Sequence, residues 1–208
     1  EEILAFTTAA LEAYGHEPSV SSVSSQVGED LVRNAIYALL FAMLGIILYV
    51  AIRFEWQMGV GTIVALLHDV FFVVAAFSIL RLEVNITFIA AILTIIGYSI
   101  NDTIVTFDRI RENINHKGVI ETKEELALIV NKSLRQTLGR SVNTVLTVII
   151  VVVALMLFGA PSIENFSIAL LIGLVTGMYS SICIAAQLWY TLKVRSMKTK
   201  GTKVVKKE

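Results

Sequence analysis

The chain has 208 residues, 56% of them hydrophobic and only 16% charged, with two prolines and one cysteine. So apolar a composition excludes an ordinary soluble domain, and a single cysteine excludes an internal disulfide or a cysteine-built metal site. The formal net charge is zero, yet the charges are segregated: residues 1–32 hold six acids and no Lys or Arg, and residues 193–208 hold seven bases.

The chain begins at Glu1 with no signal-peptide pattern, so the expectation is a fragment of a longer protein. In residues 1–30, Ile3, Leu4, Leu11 and Tyr14 mark one helical face, stopped by Gly15 with Pro18 beyond. The Val/Ser-rich stretch from Ser19 to Val27 reads as a strand leading into the first hydrophobic segment. Neither element could bury a core alone. Residues 1–30 are therefore expected to be the C-terminal remnant of an α+β extracytoplasmic domain.

Five hydrophobic stretches follow, at about 34–52, 58–80, 86–107, 142–159 and 166–192. Each can cross a hydrocarbon core of about 30 Å, which takes about 20 helical residues. Backbone groups in lipid must be satisfied within the segment, so helices are expected even for runs such as Val148–Val153. The fold class is thus an all-α polytopic membrane bundle. Residues 31–192 form its transmembrane domain, 108–141 its long loop and 193–208 a basic tail.

Charge sets the orientation. With the N-terminus outside, inner segments carry fifteen Lys and Arg: Arg53, seven in 108–141 and seven in the tail. Outer segments carry only Arg33 and Arg81. An extracytoplasmic N-terminus and a cytoplasmic C-terminus follow as the expectation. The tail reads as a topology-setting end, with contact to anionic lipid or RNA as the lesser alternative.

Within the long loop, Thr122-Lys123-Glu124-Glu125 is a capping-box pattern. Leu126, Ile129, Val130, Leu134 and Leu138 then make an apolar stripe. Two readings stay open: an amphipathic helix on the inner membrane surface, or a connector packed on the bundle.

The third span carries a costly charge, Asp102, worth roughly 3 kcal/mol against insertion. It ends a small-and-polar helical face of Thr87, Ala91, Thr94, Tyr98 and Asp102, and Asn101 and Thr103 flank it as possible hydrogen-bond partners. Asp102 reads as a site that takes up and releases a proton, as half of a structural ion pair, or as a carboxylate reaching the inner interface. Arg140 opens the fourth span on a face with Asn143, Thr144 and Thr147. If the loop helix runs straight into that span, Arg140 reaches the depth of Asp102 as its counter-charge; otherwise it is an interfacial anchor. His68 and Asp69 lie mid-span in the second segment, open to three readings: a proton path or coupling network, helix–helix hydrogen bonding, or a metal site lacking further ligands. Ala169, Gly173, Gly177, Ser181 and Ala185 recur every four residues on the fifth span, a small-residue face for close helix packing. The sequence shows no Walker-type phosphate loop and no Gly-x-Ser-x-Gly or His-Glu-x-x-His motif, so no enzyme is expected.

The run Gly97-Tyr98-Ser99-Ile100-Asn101-Asp102-Thr103-Ile104-Val105, continued by Phe107-Asp108-Arg109-Ile110-Arg111-Glu112-Asn113, closely resembles the signature of SecF, the protein-export membrane protein family. Arg53-Phe54-Glu55-Trp56, His68-Asp69 and Gln136-Thr137-Leu138-Gly139-Arg140-Ser141 extend the resemblance over roughly residues 27–192. It holds equally for the SecF half of a fused SecDF. The resemblance implies a resistance-nodulation-division type bundle with six spans per half, of which this chain holds five. It implies pseudosymmetric pairing with a SecD half and a role in Sec-dependent export driven by the proton-motive force. The coupling ion would be the proton, with no cofactor. Partners would be the Sec translocon (SecYEG) with accessory membrane proteins, the translocating polypeptide and the bilayer of a bacterial or archaeal cytoplasmic membrane, with no nucleic acid. The family's membrane carboxylate maps onto Asp102 and its arginine onto Arg140, while Ser141 stands where the family has Thr. Two other classes remain as alternatives: a proton-driven exporter of small molecules or lipids, and a non-transporting assembly factor.

Overall fold

The computed structural model describes residues 25–200; the expected helix at 3–14, residues 19–24 of the expected strand and the last eight residues of the tail lie outside them. Six α-helices follow in order: α1 Ser25–Arg53, α2 Trp56–Leu80, α3 Ile86–Lys117, α4 Lys123–Phe158, α5 Glu164–Ser180 and α6 Ala186–Lys200. One 3₁₀ turn, Pro161–Ile163, precedes α5, and a π-turn, Ser181–Ala185, joins α5 to α6 without a break. Five helical segments are long and apolar enough to cross a membrane, the same five that hydropathy picks out. Residues 25–27, the end of the expected strand, are helical instead. A few Val and Ser residues carry weak strand preference, and a 29-residue helix running through them overrides it.

The chain divides into two compact units at Ile36. In the first, Arg33 and Asp30 pair across one helical turn at 2.7 Å. The second holds the helical bundle. There α1 contributes Leu39, Ile46 and Val50 to the packing, followed by Phe54 just past its end, while Leu40, Phe41, Leu44 and Leu48 face outward.

Local chemistry fixes the helix ends. Asn85 caps α3, its side chain accepting from the Phe88 amide at 3.1 Å and from the Thr87 hydroxyl at 2.6 Å. Thr122 caps α4 by accepting from the Glu125 amide at 3.2 Å, and Glu125 reaches back to the Glu121 amide. Half of the expected capping box is thus formed: Thr122 takes the Glu125 amide, while Glu125 bonds the amide one residue before the cap instead of that of Thr122.

α4 is one helix of 36 residues, about 54 Å long at 1.5 Å per residue. The loop helix therefore does run straight into the fourth span. Its stripe residues Leu126, Ile129, Val130 and Leu134 are buried in one cluster with Phe107, Ile110 and Ile114 of α3. Packing, not a membrane surface, takes up the stripe; only Leu138 is left exposed. The third span likewise extends as helix through Lys117, so the charged run from Asp108 to Asn113 stays helical.

Two apolar layers result. One gathers Phe54, Met58, Phe107, Ile110, Leu126 and Trp189; the other gathers Leu66, Phe77, Ile92, Ile95, Val145 and Leu170. Ser99 and Thr103 of α3, Thr137 and Ser141 of α4, and Ser180 and Ser181 of the α5–α6 rod, together with Asp102, fall between the stretches that feed these layers.

Candidate functional site

The polar layer rests on close approach of α3 and α5. A Cβ on Gly173 would collide with the Ile95 side chain, and one on Gly177 would touch Ser99 at 3.4 Å and Asp69 at 3.7 Å. The small-residue face of the fifth span therefore packs on α3 and brings serines, not methyls, to the carboxylates. The π-turn adds one residue to the helix, its Ala186 amide bonding the Ser181 carbonyl. The extra residue turns the following small residues toward α2, where Gly61 lies so close that a Cβ would sit 2.8 Å from the Ala185 carbonyl. Such turns mark functional sites often enough to note the position.

Asp102 lines a narrow cleft with Tyr98, Asn101, Arg140, Thr144, Gly173 and Gly177. Its Oδ1 accepts a 2.5 Å hydrogen bond from the Ser141 hydroxyl of α4. Among the described residues no group hydrogen-bonds its buried Oδ2. The Ser181 hydroxyl and the Arg140 charge lie near the same carboxyl group without bonding it. Among the described residues no ion pair within 4.0 Å joins Asp102 to Arg140. Arg140 is exposed at the cleft, and Ser141, one residue and about 100° further round the helix, makes the direct contact.

Asn101 and Thr103 do not bond Asp102. Residues adjacent on a helix point apart. Asn101 is exposed at the cleft mouth. The Thr103 hydroxyl is buried, 3.0 Å from the Ser99 carbonyl and 2.9 Å from the Ser181 hydroxyl.

His68 and Asp69 form a second centre. Asp69 is completely buried. Its Oδ2 accepts from Ser99 at 2.5 Å and Ser180 at 2.9 Å, and its Oδ1 lies 3.2 Å from His68 Nδ1. His68 Nε2 lies 3.1 Å from the Tyr179 hydroxyl, with the rings edge-to-face. With Nδ1–H donating to Asp69, Nε2 accepts from Tyr179. Among the described residues no group of three or more His, Cys, Asp or Glu lies together as a metal site.

Sequence reading had found both carboxylates. It had missed Ser99, Ser141, Ser180 and Tyr179 as their partners, and had taken Ser181 for packing alone. Helical spacing shows which residues share a face, whereas these bonds depend on the register between helices. Ser99 and Ser141 did stand inside the recognised motifs, the one signal available.

The family model described as "Protein export membrane protein SecD/SecF, C-terminal" matches residues 6–195. The chain is 60% identical over 198 residues to the protein translocase subunit SecDF of Bacillus subtilis, covering 95% of this chain and 27% of that protein. It is 55% identical over 186 residues to the protein translocase subunit SecF of Alicyclobacillus acidocaldarius, covering 88% of this chain and 60% of that one. Among solved structures it is similar to SecDF of Thermus thermophilus, described as a translocon-associated membrane protein. The TM-score is 0.75 at 44% identity, over 83% of this chain and 24% of that one. A SecDF crystal structure in a super-membrane-facing form gives a TM-score of 0.80 at 36% identity, over 97% and 27%. The chain thus spans about a quarter of the SecDF relative and three fifths of the SecF relative.

Proposed function

The chain belongs to the SecD/SecF C-terminal family of protein-export membrane proteins, and from that premise we propose that it is the SecF-like part of a SecDF assembly. In this reading it uses the proton-motive force to promote Sec-dependent protein translocation across the cytoplasmic membrane. Its role is not enzymatic, and the coupling ion is the proton. The observation that carries the reading is the Asp102 carboxyl: one oxygen held by Ser141, the other buried and unpartnered, Arg140 beside the same cleft. An oxygen without a donor is a place for a proton.

Protonation neutralises Asp102, weakens its attraction to Arg140 and changes which packing of α3 against α4 is favoured. A proton can drive such a change only by binding the two packings differently. Each proton crossing 100 mV contributes about 2.3 kcal/mol, so several protons, or a pH gradient as well, bias the equilibrium strongly.

Exposed polar residues support a SecD half as partner. Tyr98 and Asn101 on α3, with Arg140 and Asn143 on α4, face outward at depths where lipid would leave them unsatisfied. The Sec translocon and the emerging polypeptide complete the proposed partners. The fifteen-to-two charge asymmetry supports an extracytoplasmic N-terminal side.

The test uses the full-length assembly in membrane vesicles with an imposed proton gradient. Asp102→Asn should abolish the gradient-dependent part of export and leave the ATP-driven part. Full gradient stimulation in an assembled Asp102→Asn complex would sink the proton role and favour an assembly factor.

A further inference from the structure

The two carboxylates, Asp69 fully and Asp102 partly buried, lie beside adjacent residues of one continuous rod. Ser180 reaches Asp69 at 2.9 Å, and Ser181 lies 2.9 Å from the hydroxyl of Thr103, the residue next to Asp102. Both serines also reach one backbone oxygen, the Gly177 carbonyl, each at 3.2 Å. That carbonyl already accepts the Ser181 amide. A carbonyl has two lone pairs, so it has room for one of the two hydroxyls at a time. Each hydroxyl has a single proton to give.

We propose that Asp69 is a second proton-holding group, coupled to Asp102 through competition between Ser180 and Ser181 for the Gly177 carbonyl. With Asp69 ionised, Ser180 donates to it. Ser181 then donates to Gly177 or to Thr103, and Asp102 Oδ2 has no donor, the arrangement seen here. With Asp69 protonated, its attraction for the Ser180 proton falls. Ser180 turns to Gly177 and displaces Ser181, whose hydroxyl then donates to Asp102 and stabilises its charge. A proton on one carboxyl thus favours release from the other. No bond is made or broken except the two O–H bonds, and the protons come from and return to water.

The neighbours permit this. The titratable and charged groups around the pair are His68 and Tyr179 at Asp69, and Arg140 and Tyr98 at the Asp102 cleft, with Cys183 one turn beyond Tyr179. Ser99 holds Asp69 from α3 in either state and keeps it in place while Ser180 turns.

The proposal rests on Asp102 being a proton site, and the test separates the two. In the assembled full-length complex, a hydrophobic carbodiimide labels protonated buried carboxyls, and labelling at Asp102 is followed against pH. Asp69→Asn should move half-maximal labelling about one pH unit lower, the size a single hydrogen bond to a charge supports. In a Ser181→Ala background that shift should largely vanish, because the donor is gone. Ser180→Ala, which leaves every charge in place, should also abolish the Asp69→Asn shift, because nothing then displaces Ser181 from Gly177, and Ser180→Thr should restore it. An Asp69→Asn shift that persists undiminished with Ser181→Ala would mean direct charge repulsion and overturn the coupling. A shift that persists undiminished with Ser180→Ala would overturn it as well, and Asp69→Ser serves in the same pairs if Asp69→Asn does not assemble. Labelling of the unmodified complex that ignores pH would take down the proton reading and this one together.

Discussion

At the residue scale the decisive contact is a single hydroxyl. Ser141 gives Asp102 its 2.5 Å bond, while Arg140 acts across the cleft. Ser141→Ala removes the one hydrogen bond that the described residues give Asp102, so gradient-driven export should fall roughly ten-fold or more, about 1.5–3 kcal/mol for a bond to a charged group. Ser141→Thr keeps the hydroxyl and should stay within about two-fold, because a methyl adds bulk but removes no donor. Equal losses in the two variants would show that packing, not the hydroxyl, matters at 141. The sequence could expose Asp102 because a carboxylate in a hydrophobic run stands out against its surroundings. It could not expose its partners, because serine is unremarkable in a membrane helix and gains meaning only from what lies opposite.

At the scale of elements, the helices were legible and their junctions were not. Hydropathy located all five spans, since lipid leaves helix as the only choice. It left open whether the loop helix and fourth span are one rod, because the polarity change at Arg135–Arg140 looks like a boundary and only packing carries the helix through it. The π-turn had no signature, since Ser-Ile-Cys-Ile-Ala suits an α-helix equally. The small-residue face makes a sharp prediction. Gly173→Ala drives a methyl into Ile95 and should cost about 1–3 kcal/mol, seen as a lower unfolding midpoint in detergent, whereas Gly177→Ala makes only ordinary contact and should be milder. A milder effect at 173 than at 177 would contradict the packing described.

The start of α4 is pH-sensitive. Glu125 is held below the ordinary carboxylate range, first by its hydrogen bond to Lys117 and then by the Glu121 amide. A lowered value means that the stabilisation is present above the unfolded value of about 4.5 and is lost as pH falls through the folded one. Because Glu125 is solvent-accessible, the effect is local and small. Amide exchange at Glu125 and Leu126, corrected for its intrinsic pH dependence, should quicken as the solution is acidified below about pH 4.5. Glu125→Gln should remove that acid-dependent change.

At the scale of the whole molecule, the exposed faces fall into two kinds. α2 presents Leu67, Phe71 and Val74, a surface suited to lipid, while α3 presents Thr94, Tyr98 and Asn101. In the assembled complex, Asn101→Cys in a Cys183→Ser background should resist lipid-soluble thiol reagents, and Phe71→Cys should react. Ready reaction at both would mean that the SecD half covers another face. This division was partly visible in the sequence, as the polar stripe ending at Asp102. Which members of the stripe point outward was not, since Ala91 of that stripe is buried while Thr94 and Tyr98 are exposed.

The π-turn that joins α5 to α6 holds the chain's single thiol, Cys183, at an exposed position two residues past Ser181. The protein therefore carries its own reporter. One spin label or fluorophore at Cys183 would sit on the segment between the two carboxylates and the buried Trp189. Any rotation or tightening of that turn during the cycle would be read as a change in label mobility, with no residue of the polar layer replaced.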